Sequence, residues 1–209
     1  MTKNLSFFLP YILLLFVVGV LQLDFSQTAL IKGLHQHYHP LADFCFQYIT
    51  RLGEGWGFGL VLIVMLLKKQ NQGAIVLTVA TLVSSLFTQF LKLQVFPEIG
   101  RPVTFFYPHY QGFNLPNGTT ILLQDHSFPS GHTTSAFTIF CVATLFVQNK
   151  RWGYLFVLLA FLVGYSRVYL FQHFVIDAYI GSIIGTCCAL AAYRFVPKLK
   201  SINTQKSSY

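Results

Sequence analysis

The sequence predicts an all-α fold, a six-helix transmembrane bundle. Of its 209 residues, 54% are hydrophobic and 10% are charged, too apolar a balance for a soluble domain of this length. Six apolar stretches follow one another, each long enough or nearly long enough to cross a hydrocarbon core. The basic residues between them are biased towards alternate connections, which gives the spans an orientation.

The first span, Leu5 to Leu23, has the apolar run of a secretory signal but no small-residue cleavage site, and it reads as a retained helix. The second, Trp56 to Leu67, is short for a core of ~30 Å, so a full crossing has to borrow Gly53 to Gly55 or thin the bilayer. The remaining four run from Gly73 to Leu91, Thr133 to Gln148, Trp152 to Phe171 and Phe174 to Phe195. No repeat, low-complexity segment or linker interrupts them, so residues 1–209 read as one domain with a polar tail over 196–209. Cys45, Cys141, Cys187 and Cys188 lack metal-ligand or disulfide-framework spacing, and the last three sit in apolar runs where thiols pack.

With the amino terminus in the cytoplasm, Lys3, Lys68, Lys69, Lys150, Arg151, Arg194, Lys198, Lys200 and Lys206 lie inside. Lys32, Arg51, Lys92, Arg101 and Arg167 then lie outside, with all six acids: Asp24, Asp43, Glu54, Glu98, Asp125 and Asp177. That asymmetry fits the positive-inside rule. The net charge of +8 is dispersed over short loops and the tail rather than gathered in a stripe, which points to anionic membrane lipids as partners and not to nucleic acid.

Six alternating crossings bring four helix ends to one outer face. They carry Lys92 and Arg101, then Ser130, Gly131 and His132, then Ser166 and Arg167, then His173 and Asp177. Taken singly, each has a plain reading as an interfacial histidine, a snorkelling arginine or a helix cap. Together they match a phosphate: two guanidinium forks and an ammonium face its oxygens, while Ser130 and the amides near Gly131 sit at a helix start. Pro129 fixes one dihedral before that start, and Gly131 permits close backbone approach. His173 and Asp177, four apart, share a helix face, so the carboxylate can hold one ring N–H while the other nitrogen points outward as a nucleophile. His132 comes from a different helix and can protonate a departing alkoxide.

Two other stretches read as less specific. His35, His37 and His39 of HQHYHP, with Pro40, form a polar loop, because histidines spaced by two converge on a metal only in a defined turn. The aromatic-rich loop from Val103 to Phe128 can grip a headgroup or lie at the interface, and aromatic belts favour the interface.

The outer-face residues resemble the type 2 phosphatidic acid phosphatase superfamily. Its third motif, serine-arginine, five residues, histidine, three residues, aspartate, is matched by SRVYLFQHFVID, Ser166 to Asp177. Its second, PSGH, is matched at Pro129 to His132. Its first has lysine, six residues, then arginine-proline, whereas KLQVFPEIGRP places eight residues between Lys92 and Arg101 and puts Gln94 at the usual lysine spacing. A bulge that returns Lys92 to the site is therefore expected.

The resemblance implies an integral membrane lipid phosphatase that uses no metal or other cofactor and has its active site at the outer membrane face. It implies phosphate binding by Lys92, Arg101, Ser130, Gly131 and Arg167, and attack by His173 assisted by Asp177. His132 would protonate the leaving group and then act as base for the water that hydrolyses the phosphohistidine. Candidate substrates are undecaprenyl diphosphate, phosphatidic acid, phosphatidylglycerophosphate and lipid A phosphates. The expected location is a bacterial inner membrane, with the site towards the periplasm or cell exterior. Phosphotransfer to another acceptor, and non-catalytic binding or transport of a lipid phosphate, are the alternatives. Paired histidines favour chemistry over binding alone.

Overall fold

The computed structural model describes residues 4–35, 39–106 and 126–197, which form α-helices and short helical turns with no strand among them. Among the described residues, four helices are long and apolar enough to cross a membrane: α1 (Leu5–Asp24), α5 (Asn71–Phe90, prolonged by a π-turn over Leu91–Val95), α8 (Trp152–Tyr169) and α9 (Val175–Phe195). A fifth candidate is bent. α3 (Pro40–Ile49) and the 3-10 turn Thr50–Gly53 meet α4 (Gly55–Leu67) at 59°. The short second stretch is thus extended by a separate segment at an angle, and not by a continuous helix through Gly53 to Gly55. The break falls at Glu54, whose backbone is extended.

The sixth, α7 (Gly131–Phe146), has 16 residues, fewer than the ~20 that a straight crossing needs. Its burial explains this. From Ala136 to Thr144 every residue is buried, so protein surrounds the helix and the bilayer thickness does not set its length. Thr134, Thr138 and Thr144 return their hydroxyls to the carbonyls one turn back, which satisfies them inside this apolar setting.

Two further helices were not anticipated from hydropathy, α2 (Gln27–His35) and α6 (Pro102–Phe106). His39 caps α3, its Nδ1 accepting the Leu41 N–H at 3.2 Å, with Pro40 in the first turn. Of HQHYHP, His35 ends α2 and Pro40 begins α3; residues 36–38 lie outside the described residues. So do 107–125, most of the aromatic stretch. Its described beginning, Phe105 and Phe106 in α6, packs on Phe174 and Phe171 with ring centroids 5.8 and 5.9 Å apart.

α7 is the hub, packed among α5, α8 and α9 through Leu77, Phe137, Ile139, Val142, Ala160 and Ala189. Lipid tails are as apolar as these side chains, so close packing and not transfer from water holds such helices together. On α9 the approach is tightest at GSIIG. A Cβ on Gly185 would stand 2.3 Å from the Thr134 carbonyl oxygen, and one on Gly181 would stand 2.8 Å from that of Ser130. This contact fixes the start of α9 against the start of α7. The Ser130 N–H donates to the Asp177 carbonyl at 3.0 Å, joining the two motifs directly. At the far end of α7, Lys150 donates to the carbonyls of Thr144 and Leu145. On α1, Leu9, Ile12, Leu13 and Phe16 face outward, as they would towards lipid.

Candidate active site

His173 lies in the turn between α8 and α9. Its N–H and that of Gln172 both donate to the Arg167 carbonyl, at 3.2 and 2.9 Å. Phe171 in this turn takes φ 60°, a left-handed conformation that costs a bulky residue about 1–3 kcal/mol and is held by its complete burial.

One carboxylate oxygen organises the imidazole. Asp177 Oδ2 lies 3.2 Å from His173 Nδ1, accepts the Phe174 N–H at 3.1 Å and accepts the Ser127 hydroxyl at 2.5 Å. Ser127 Oγ is itself 3.2 Å from His173 Nδ1. With Nδ1 occupied in this way, Nε2 turns away from the carboxylate, as a nucleophile requires. Burial holds the His173 imidazole well below its ordinary proton affinity, and the nearby charges of Arg167, Lys92, Arg101 and His132 act in the same direction. The ring is neutral at neutral pH.

The π-turn answers the spacing of the first motif. Phe96 N–H reaches back five residues to the Leu91 carbonyl at 2.8 Å, widening the turn. Lys92 is consequently buried and donates to the carbonyls of His126 and Ser127, at 2.7 and 3.3 Å, whereas Gln94 is exposed.

Arg101 donates through Nη1 to the Gln172 carbonyl at 3.1 Å, and Arg167 through Nη1 to Thr50 Oγ1 at 2.8 Å. The Nε of each guanidinium is buried without a hydrogen-bond partner among the described residues. Donors arranged in this way suit an anion, which would satisfy them. Burial draws the Arg101 guanidinium below its ordinary value, and the Asp177 carboxylate opposes that change.

Ser130 caps α7, its Oγ accepting the Thr133 hydroxyl at 2.9 Å and, more loosely, the Thr133 N–H at 3.5 Å. Its own hydrogen stays free to donate, and the next amides, at Gly131 and His132, begin the helix without intrahelical partners. The nearest atom to a Cβ on Gly131 would be a Thr88 methyl at 4.0 Å, so this glycine keeps the helix start open instead of permitting a tight contact. His132 Nε2 lies 3.0 Å from Glu54 Oε1. Ser166, by contrast, turns its hydroxyl back to the Val163 carbonyl at 2.6 Å and serves its own helix.

All eight residues proposed from sequence, Lys92, Arg101, Ser130, Gly131, His132, Arg167, His173 and Asp177, lie on elements that meet at this end of the bundle. Three contributors were not assigned from sequence. Ser127 was visible, three residues before Ser130, but nothing in its spacing points to Asp177. Thr50 and Glu54 come from 117 and 78 residues away from their partners and carry no sequence signal.

A family model described as the PAP2 superfamily matches residues 73–201, more than half of the chain. The chain belongs to the PAP2 superfamily.

Relatives of this PAP2 protein include a transport permease and a diphosphatase. It is 35% identical over 114 residues to the bacitracin transport permease protein BcrC of Bacillus licheniformis, a match that spans 53% of this chain and 55% of that protein. It is 26% identical to the undecaprenyl-diphosphatase BcrC of Bacillus subtilis over 82% of this chain and 84% of that one. The crystal structure of LpxE from Aquifex aeolicus is similar with a TM-score of 0.67 and 28% identity, covering 79% of this chain and 93% of LpxE. The phosphatidylglycerolphosphate phosphatase of Bacillus subtilis shares the fold, with a TM-score of 0.67 at 24% identity over 97% of this chain. Apolar spans and PAP2 membership together make it an integral membrane protein of a lipid phosphatase family.

A cavity of about 220 Å³ lies among α1, α2, α7, α8 and α9, lined by Leu14, Leu15, Phe137, Phe161 and Val168 with Thr133 and Gly164 in its wall. Thr133 is the residue whose hydroxyl bonds Ser130, so apolar space adjoins the cradle.

Proposed function

We propose that this PAP2 protein is a metal-independent phosphatase of the bacterial inner membrane that faces outward and removes the terminal phosphate of a lipid diphosphate or monophosphate through a phosphohistidine. The observation that carries the reading is His173, held neutral and oriented by Asp177 Oδ2 at 3.2 Å in the reach of three cationic side chains. An undecaprenyl-diphosphate-like substrate is the first choice, supported by the similarity to the undecaprenyl-diphosphatase of Bacillus subtilis and by the apolar cavity beside Ser130.

In the first step Nε2 of His173 attacks phosphorus and the bond to the leaving oxygen breaks. Lys92, Arg101 and Arg167, with the first amides of α7, meet the charge on the equatorial oxygens. His132 gives the departing oxygen a proton. In the second step water attacks phosphorus, the P–N bond breaks, and His132 takes the water's proton. The three cations provide the charge neutralisation that a metal ion provides in other phosphatases.

The test is phosphate release from a panel of lipid mono- and diphosphates by wild type and His173→Ala, in detergent with chelator, together with trapping of acid-labile, base-stable phosphoenzyme. Release and trapping by wild type alone support the reading and rank the substrates. Equal release by both proteins refutes the nucleophile; loss of activity on chelation refutes metal independence.

A further inference from the structure

We propose that Glu54 is a positioning residue for His132, holding its Nε2–H so that Nδ1 faces the leaving oxygen and stabilising the imidazolium that donates the proton. This rests on the reading of His132 as general acid. Nothing in the three sequence motifs includes Glu54, which reaches the site only through the fold.

The placement is built rather than incidental. Glu54 Oε1 lies 3.0 Å from His132 Nε2. The preceding Gly53 is pressed against the same histidine: a Cβ there would stand 2.5 Å from the His132 carbonyl oxygen and 2.8 Å from Val163 Cγ1. Thr50, at the other end of this turn, receives Arg167 at 2.8 Å. One short turn therefore contacts two residues of the site, and a side chain at position 53 would push it away. The two rings of contact differ in setting, since the Glu54 and His132 side chains remain 42% and 29% exposed. The pair is partly exposed, so packing alone does not hold the two side chains together.

The charges facing His132 explain what the carboxylate adds. Arg167 and Arg101 repel an imidazolium here. Glu54 is the carboxylate that opposes them. A carboxylate on one ring nitrogen fixes the tautomer and stabilises the charged ring. As the P–O bond breaks and the P–N bond to His173 forms, the leaving oxygen takes the Nδ1 proton, while Glu54 retains the Nε2–H. His132 is left neutral with Nδ1 able to accept a proton from the attacking water.

The experiment compares kcat/KM, which reports the first phosphoryl transfer, for an alkyl lipid phosphate in mixed micelles and for p-nitrophenyl phosphate, whose phenolate leaves without a proton. Wild type, Glu54→Gln, Glu54→Ala and His132→Ala are measured in the full chain. Both Glu54 variants are expected to lose about tenfold on the alkyl substrate, a fraction of what a general acid supplies, and to change little on the aryl one. His132→Ala should lose more, with the same selectivity. Equal losses on both substrates in the Glu54 variants, no loss, or a gain would overturn the proposal while a selective His132→Ala leaves the acid standing. An unselective His132→Ala, or a wild type that turns over neither substrate, would overturn the acid assignment and this inference with it.

Discussion

Ser127 Oγ donates to Asp177 Oδ2 across 50 residues of chain, and the same hydroxyl lies 3.2 Å from His173 Nδ1. The proposed nucleophile is thus oriented by a buried trio, with the serine supplied by the segment that leads into α7. The starts of α7 and α9 are mechanically one unit, since the Asp177 carbonyl also accepts the Ser130 N–H.

Ser127→Ala removes a donor from a buried carboxylate, a loss of about 1–3 kcal/mol. The expected result is a fall in kcat of about tenfold with KM little changed, because the hydroxyl orients His173 without facing the phosphate. Steady-state kinetics check this, and an unchanged kcat would reduce Ser127 to a satisfied core residue.

Lys92→Met should raise the inhibition constant of inorganic phosphate by about tenfold, as expected for one charge-assisted contact. Adding Gln94→Lys restores the usual spacing of the first motif, but position 94 is exposed on the far side of the π-turn. The double variant is expected to remain as weak as Lys92→Met. Recovery of phosphate inhibition in the double variant would show that the turn does not fix which residue faces the site.

Because burial and the surrounding cations lower the proton affinity of His173, its imidazole should stay neutral as pH falls through about 6.5, where a free histidine titrates. The sign follows: below that pH the unfolded chain binds the extra proton and the folded one does not, so acid weakens the fold and base does not. Nitrogen-15 NMR of histidine-labelled protein in detergent, assigned by difference with His173→Gln, reads the ring directly. A His173 signal that titrates near about 6.5 would contradict the buried, cation-flanked setting.

Gly185→Ala places a Cβ against a backbone oxygen that cannot move aside, and overpacking of this kind costs about 1–3 kcal/mol. The expected outcome is a lower Tm and reduced activity, since α9 carries Asp177. Gly59→Ala, where nothing lies within 4 Å, is the matched control and should leave both unchanged.

The spans were legible because apolar runs of bilayer length have few other uses, and the PSGH and SRVYLFQHFVID segments were legible because their spacings are local. The bend at Glu54 and the helices α2, α3 and α6 were not, because short amphipathic or capped segments give no run long enough to stand out from a connection. Lys92 illustrates the boundary between the two. Its displaced spacing was visible, but only the widened turn turns its ammonium inward.

By itself the sequence determined the membrane-spanning class, the motif spacings and the eight candidate site residues that come to one end of the bundle. Tertiary structure decided how those residues are held: Ser127 on Asp177, Thr50 on Arg167 and Glu54 on His132. The reason is that motif spacing encodes neighbours along one helix, whereas these partners meet only when α7 packs on α9 and when α7 and α8 close against the Thr50–Gly53 turn, through glycines whose missing side chains matter only once another backbone lies beside them.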